Sequence, residues 1–321
     1  MLRAMADEAF QEFVLQAGGG DGFLYLGPKV TKQITSRVEF GLNWFDQVLQ
    51  PSSSGSLLIA SETTSYKDSG NSHSGRQESV LKSIRGQSSH KYPGAHGVGY
   101  YIYESVSSWT VYHFHDTSSV APMRRDQSLR DSERFRHDAS NIAPFLFSLK
   151  EEQPGSYELI RDTVRLIAPF FGDFLLRPQK RGAHEVLRLE WQQKGSDFPF
   201  QPNQLSDGTL RFICLTTALL QPDPPATVVI DEPELGLHPY AISMLADLVK
   251  SASERTQIVI STQSPTLLDY FEPADIVVVS RQKHNSTFAR LDQQALKSWL
   301  EEYSVGELWQ KNVVQGGPSL E

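Results

Sequence analysis

Two adjacent carboxylates, Asp231 and Glu232, follow the apolar run Thr227-Val228-Val229-Ile230. Such a run reads as a buried parallel strand, and its C-terminal end is the edge of an open α/β sheet where ligands bind. There the first carboxylate suits a Mg2+ ion through its water shell, and the second can orient or deprotonate a water that attacks a phosphate. A strand that merely ends in a solvated turn carries the same two letters. Upstream, Ser206-Asp207-Gly208-Thr209 puts a capping serine and a small glycine at a helix start, whose free N–H groups and dipole face anions. Taken alone, an ordinary Ser-capped helix explains that segment better. Downstream, the strand Gln257-Ile258-Val259-Ile260-Ser261 leads into Thr262-Gln263-Ser264-Pro265, where Gln263 can hydrogen-bond a phosphate or a water, or only cap a turn.

Other signals are weaker. Alternation along a strand would put His113 and His115 on one face, with Asp116 beside them, but no further metal ligands are identifiable. Arg124, Arg125, Arg130, Arg134 and Arg136 are interleaved with acids, as in a solvated loop or a phosphate-contacting stretch. Ser206 and Ser264 have no partnered base and are not candidate nucleophiles. The single cysteine, Cys214, lies in an apolar run and reads as a small buried hydrophobe, which fits a reducing cytoplasm.

These residues need a scaffold, and the composition supplies one: 321 residues, 39% hydrophobic and 21% charged, suffice for one large core or two modest ones. The net charge of −8 gives no global positive field, so nucleic-acid attraction would need a local patch or a partner chain. No apolar stretch approaches the length of a membrane span and no signal-peptide pattern opens the chain, so a cytosolic protein is expected. Helical spacing over Leu2 to Val14 ends at Gly18-Gly19-Gly20, and alternation from Phe23 to Ile59 predicts antiparallel strands. Residues 61–97, rich in Ser, Gly, His and charge, read as a flexible insertion. Further strands are predicted at 109–114 and 187–191, and helices at about 141–152 and 156–170. After Gln204 the order becomes that of a parallel α/β sheet, with helices near 207–220, 239–252 and 293–303 and strands near 227–231, 257–262 and 275–280.

Asp231-Glu232-Pro233-Glu234-Leu235-Gly236-Leu237-His238-Pro239 resembles the Walker B segment and D-loop of ABC-type ATPases of the SMC, RecF and OLD class. Leu205-Ser206-Asp207-Gly208-Thr209 resembles the signature of that class, with Asp207 where many members carry Gly. Thr262-Gln263-Ser264-Pro265 stands at its switch loop, with Gln263 where many relatives have His. The tail from Leu300 to Asn312 resembles a subgroup of bacterial ATPases, and packing is its expected role. The likeness is strong from Leu205 to about Gly317, and weak over Trp109–Arg136 and the opening helix.

The resemblance implies a P-loop NTPase fold of the ABC ATPase head type, with a parallel α/β lobe, an antiparallel β lobe on which a nucleotide base would rest, and a helical insertion. It divides the chain into 1–60 (opening helix and antiparallel lobe), 61–97 (insertion), 98–204 (continued β lobe and helices) and 205–321 (ATPase lobe). It implies ATP and Mg2+ as cofactors, Asp231 for the metal, Glu232 to activate water and Gln263 to sense the γ-phosphate. Ser206, Asp207 and Gly208 would complete the site of a partner in a head-to-head dimer that moves DNA or an effector protein. The glycine-rich loop Gly-x-x-x-x-Gly-Lys-Ser/Thr of such enzymes occurs nowhere in the 321 residues, so the first strand and that loop are expected upstream of Met1. Two rivals follow: a non-catalytic interaction module that keeps the fold, and a DNA-processing nuclease, which the absence of a further acidic cluster after Walker B disfavours.

Overall fold

Glu78 shows how the first elements form. Its carboxylate accepts hydrogen bonds from the backbone N–H groups of Phe10 and Gln11, both at 2.9 Å, and so satisfies free donors at the start of a helix 67 or more residues away in sequence. The computed structural model describes residues 1–67, 69–89, 95–282 and 285–314. The opening helix is therefore two, α1 (Leu2–Ala6) and α2 (Phe10–Gln16), separated by a left-handed Glu8 at φ 58°. Four antiparallel strands follow in sequential order: β1 (Ile34–Phe40), β2 (Asn43–Pro51), β3 (Leu57–Tyr66) and β4 (Ser69–Arg76). Gly41, at φ +62°, makes the two-residue turn between β1 and β2. Helices α3 (Leu81–Ile84) and α4 (Val98–Ser108) complete this unit, which runs from Met1 to Trp109. Phe45, Leu49, Leu57 and Ile59 of the sheet are buried, two of its small cores being closed by Met5, Phe10 and Val14 and by Leu81, Ile84, Ile102 and Val106.

The expectation of an insertion at 61–97 is corrected here. Residues 61–66 and 69–76 are sheet, and Glu62, 1% exposed, accepts from Ser79 Oγ and Val80 N at 2.7 Å each, tying β3 to the start of α3. The polar letters belong to strands of an antiparallel sheet with a wet side, not to a loop. Residues 90–94 and the tail beyond 314 lie outside the described residues.

The second unit, Thr110–Glu321, carries the parallel sheet. Its strands are β5 (Thr110–Tyr112), β12 (Thr227–Asp231) and β13 (Gln257–Ser261), with β12 in the middle. Between β5 and β12 lie β6 (Gln127–Ser128), the helices α5 (Ile142–Glu152) and α6 (Pro154–Ile167), and five short strands. These are β7 (Phe171–Leu175), β8 (Gln179–Arg181), β9 (His184–Leu187), β10 (Glu190–Gln193) and β11 (Pro199–Phe200). The helix α7 (Asp207–Leu220) follows. It is buried at every residue from Leu210 to Leu220, so it is the centre of the main core rather than a surface helix. After β12 come α8 (Pro239–Ser253), β13 and α9 (Pro265–Leu268), then β14 (Val277–Gln282), β15 (Asn285–Arg290), α10 (Lys297–Leu300) and α11 (Val305–Gln310).

The α/β class is as expected, but three local expectations fail. The strand at 187–191 is two strands in different sheets, broken where Arg188 turns to bond Asp126. The strand near 275–280 pairs antiparallel with β15 and, among the described residues, does not join the parallel sheet. The helix expected at 293–303 is helical only over Lys297–Leu300. The chain forms two compact units, Met1–Trp109 and Thr110–Glu321. Among the described residues no helix is long and apolar enough to cross a membrane.

Candidate functional site

Strand β12 is apolar because both of its neighbours are parallel strands, and it delivers Asp231 at the C-terminal edge of the sheet. One Asp231 oxygen accepts from Ser261 Oγ of β13, and the other lies 3.7 Å from His115 Nε2. Glu232 continues the ladder for one residue, its N–H donating to Ser261 O at 2.8 Å, and then adopts φ +39°. A non-glycine residue in the left-handed region is strained, and such strain gathers where a side chain must be aimed. Here it brings Glu232 Oε1 within 3.2 Å of Gln263 Nε2, which donates to it. Glu234 Oε1 accepts from Thr262 Oγ1 at 2.5 Å, and Thr262 Oγ1 in turn accepts from Ser264 N at 2.9 Å, so the Glu232–Glu234 turn and the switch turn are cross-linked. Glu234 Oε2 is buried without a hydrogen-bond partner among the described residues.

The switch turn is also braced from the tail. Gly306 N donates to Asp269 Oδ1 at 2.7 Å, and a Cβ on Gly306 would stand 2.3 Å from Pro265 O, the first helical residue after the switch. A side chain there cannot fit without moving α9. This gives the tail the packing role expected for it.

At the start of α7, Ser206 Oγ accepts from Thr209 N at 3.2 Å, the serine cap expected from the sequence. Asp207 is paired with Arg124 Nη2 at 2.8 Å. Arg124 is not part of a solvated loop. Its side chain is 5% exposed and donates to the carbonyls of Thr117, Pro202 and Leu205 as well. Arg211, on the next turn of α7, is also buried; it donates to Phe114 O at 3.1 Å and His115 O at 3.2 Å, and burial pushes its guanidinium below its ordinary pKa. Gly208 meets the turn after Glu232 directly, since a Cβ there would lie 2.5 Å from Gly236 O. Gly208→Ala is expected to cost about 1–3 kcal/mol of stability through that collision, read as a lowered denaturant midpoint. An unchanged midpoint would show that the helix start and the turn are not in this contact.

The structure thus places all six residues singled out from the sequence on one edge of the second unit. Asp231, Glu232 and Gln263 are linked through side chains and the β12–β13 ladder, and Ser206, Asp207 and Gly208 adjoin them through Gly236. Sequence reasoning left Arg211 unmentioned, set His115 among the weaker signals and read Arg124 as part of a solvated or phosphate-contacting stretch. Their positions depend on β5 lying beside β12, which no local pattern reveals. Of the His-x-His-Asp cluster only His115 reaches the carboxylates; Asp116 is held below the usual carboxylate range by the Ser118 side chain and by the Ser118 N–H, which donates to it at 3.0 Å. Among the described residues no group of three or more His, Cys, Asp and Glu is placed to hold a metal by itself. Cys214 is fully buried and burial pushes its thiol up, so it is inert, as expected.

A family model described as "AAA domain, putative AbiEii toxin, Type IV TA system" matches residues 97–269, more than half of the chain. The energy-coupling factor transporter ATP-binding protein EcfA2 of Mycoplasma genitalium is 30% identical over 129 residues, which are 38% of this chain and 40% of that protein. The chain therefore spans less than half the length of this curated relative. Among solved structures, an Smc head bound to the C-terminal winged-helix domain of ScpA superposes with a TM-score of 0.47 at 13% identity, over 92% of this chain and 88% of that one. An Smc head with an extended coiled coil from Pyrococcus furiosus gives a TM-score of 0.43 at 13% identity, over 94% and 89%.

Proposed function

The chain belongs to the AAA-domain family that its residues 97–269 match, and on that premise we propose that it is the hydrolytic and dimer-forming part of an ATP-driven switch of the SMC/RecF-like class. One observation carries this reading: a strained Glu232 and Gln263 hydrogen-bonded to each other at 3.2 Å, beside Asp231, at the ligand edge of a parallel sheet. Asp231, with oxygen donors and open to solvent, suits a hard divalent ion that keeps much of its water, and ATP would bring the phosphates. Bound Mg2+ would neutralise charge on those phosphates. Glu232 orients the attacking water and takes its proton. Gln263 reports the γ-phosphate to α9, and Ser206 with Gly208 offers a helix start to the nucleotide of a partner copy. ATP binding in the name of the transporter relative is consistent with this chemistry. A cytoplasmic place, and DNA or an effector protein as what the switch moves, follow from the same reading.

The phosphate grip must come from elsewhere, because the 321 residues hold no Gly-x-x-x-x-Gly-Lys-Ser/Thr loop. The outer edge of β13 supports a place for it. Among the described residues β13 pairs with β12 alone, so its outer backbone edge carries no strand there. A further strand leading into the loop fits that edge.

The test compares ATP binding and hydrolysis by the 321-residue chain with the same chain carrying a strand and phosphate loop fused before Met1. The expected result is no saturable binding for the first and hydrolysis by the second. Hydrolysis by the unfused chain that Glu232→Gln abolishes would overturn the need for the loop. A folded fusion that binds no ATP would favour the non-catalytic interaction module.

A further inference from the structure

We propose that His115 is a nitrogen ligand to the divalent cation held at Asp231, and that the site therefore takes Mn2+ in preference to Mg2+. The inference rests on the reading of Asp231 given above and goes beyond it, because the resemblance assigns the metal to oxygen alone.

The argument begins with the sheet. β5 runs parallel to β12 with Tyr112 opposite Ile230, so both strands end on the same edge, and His115 lies three residues past that pairing. Its Nε2 comes within 3.7 Å of Asp231 Oδ2. Two donors each about 2.1–2.2 Å from one ion are separated by about 3.0 Å at a right angle and about 3.7 Å at 120°. The observed spacing lies at the wide end of that range, and a small rotation of the imidazole covers the rest.

The ring is also held from behind. Arg211, 6% exposed, donates to the carbonyls of Phe114 and His115, so a buried cation fixes the backbone that carries the imidazole. Such support behind a ligand sets its direction. The side chains themselves stay open, 37% exposed for His115 and 52% for Asp231, leaving room for water and phosphate to fill the other positions. Imidazole binds first-row transition ions more readily than Mg2+, although Mn2+ is the weakest of that row, whereas Mg2+ demands oxygen and gives up its water reluctantly.

Mn2+ serves as the probe, added with and without ATP to the chain carrying the fused strand and phosphate loop, and followed by electron spin resonance. The expected result is nitrogen modulation from a bound imidazole in the unaltered protein. His115→Gln should lose that modulation and weaken Mn2+ binding about tenfold or more, with a similar loss of preference over Mg2+. Asp231→Asn should bind no Mn2+ at this site. Because His115 is partly exposed, His115→Gln should keep the thermal midpoint, and His115→Asn serves as a second variant. Mn2+ binding that needs Asp231 but shows no nitrogen coupling, or coupling that survives both His115 variants, overturns the ligand role and leaves the Asp231 reading standing. No Asp231-dependent binding by the loop-bearing chain in the presence of ATP overturns both.

Discussion

In a protein supplied with the phosphate loop, Glu232→Gln should slow ATP turnover by about 10²–10⁴-fold while leaving ATP bound. The amide keeps the shape of the carboxylate and still presents an oxygen to Gln263 Nε2, now at 3.2 Å from Glu232 Oε1, so the switch turn stays in place. What it loses is the ability to take a proton from water. Turnover and affinity therefore separate, and the bound state accumulates. Asp231→Asn should behave differently, because it weakens the metal and with it the Mg2+ dependence of binding. Single-turnover hydrolysis and equilibrium ATP binding, measured side by side, check both. If Glu232→Gln slows the chemical step less than tenfold, the proton acceptor lies elsewhere, and the strained φ of Glu232 needs another explanation.

The carboxylates and the two helices that flank them were legible because their signals are local. An apolar run bounded by acids, a serine cap and a proline at the first turn of α8 each act over a few residues, and α7 and α8 form close to where those signals stand. Glu62 and Glu78 were not legible. Each anchors a backbone segment that is 18 or 68 residues distant, and nothing in the neighbouring letters marks either as a cap. Residues 61–97 looked like a loop because Ser, Thr and Gly dominate both loops and the wet side of an antiparallel sheet, and composition cannot separate the two. The same limit hid Arg124. In sequence it sits among other charges, whereas in the fold four carbonyl and carboxylate groups converge on it from residues 117, 202, 205 and 207. Partners of that kind come from topology, and β5 joining the parallel sheet was the step the sequence did not show.

Pairing of subunits decides between an active switch and a remnant, and the start of α7 is where the two readings diverge. Ser206 and Asp207 are exposed at the start of α7, where the Ser206 hydroxyl caps the Thr209 N–H. An acid at this position would repel a phosphate, yet Asp207 is paired at 2.8 Å with a buried Arg124, so the local field is not left negative. Ser206→Arg puts bulk where the partner's γ-phosphate must approach, and because the residue is exposed the monomer should keep its fold. In the loop-bearing protein, that variant alone and Glu232→Gln alone should each hydrolyse almost no ATP. Mixed together they form heterodimers in which one site joins an intact Glu232 from the first chain to an intact Ser206 from the second, while the other site carries both lesions. Hydrolysis should therefore return in the mixture, towards half of the unaltered rate per heterodimer, and should scale with the heterodimer fraction measured by native mass spectrometry. If the Ser206→Arg protein hydrolyses ATP and dimerises like the unaltered one, the segment is only a capped helix and its role at a shared site falls. If the mixture stays silent although heterodimers form, the two sites do not draw on both chains, and the switch works within one subunit.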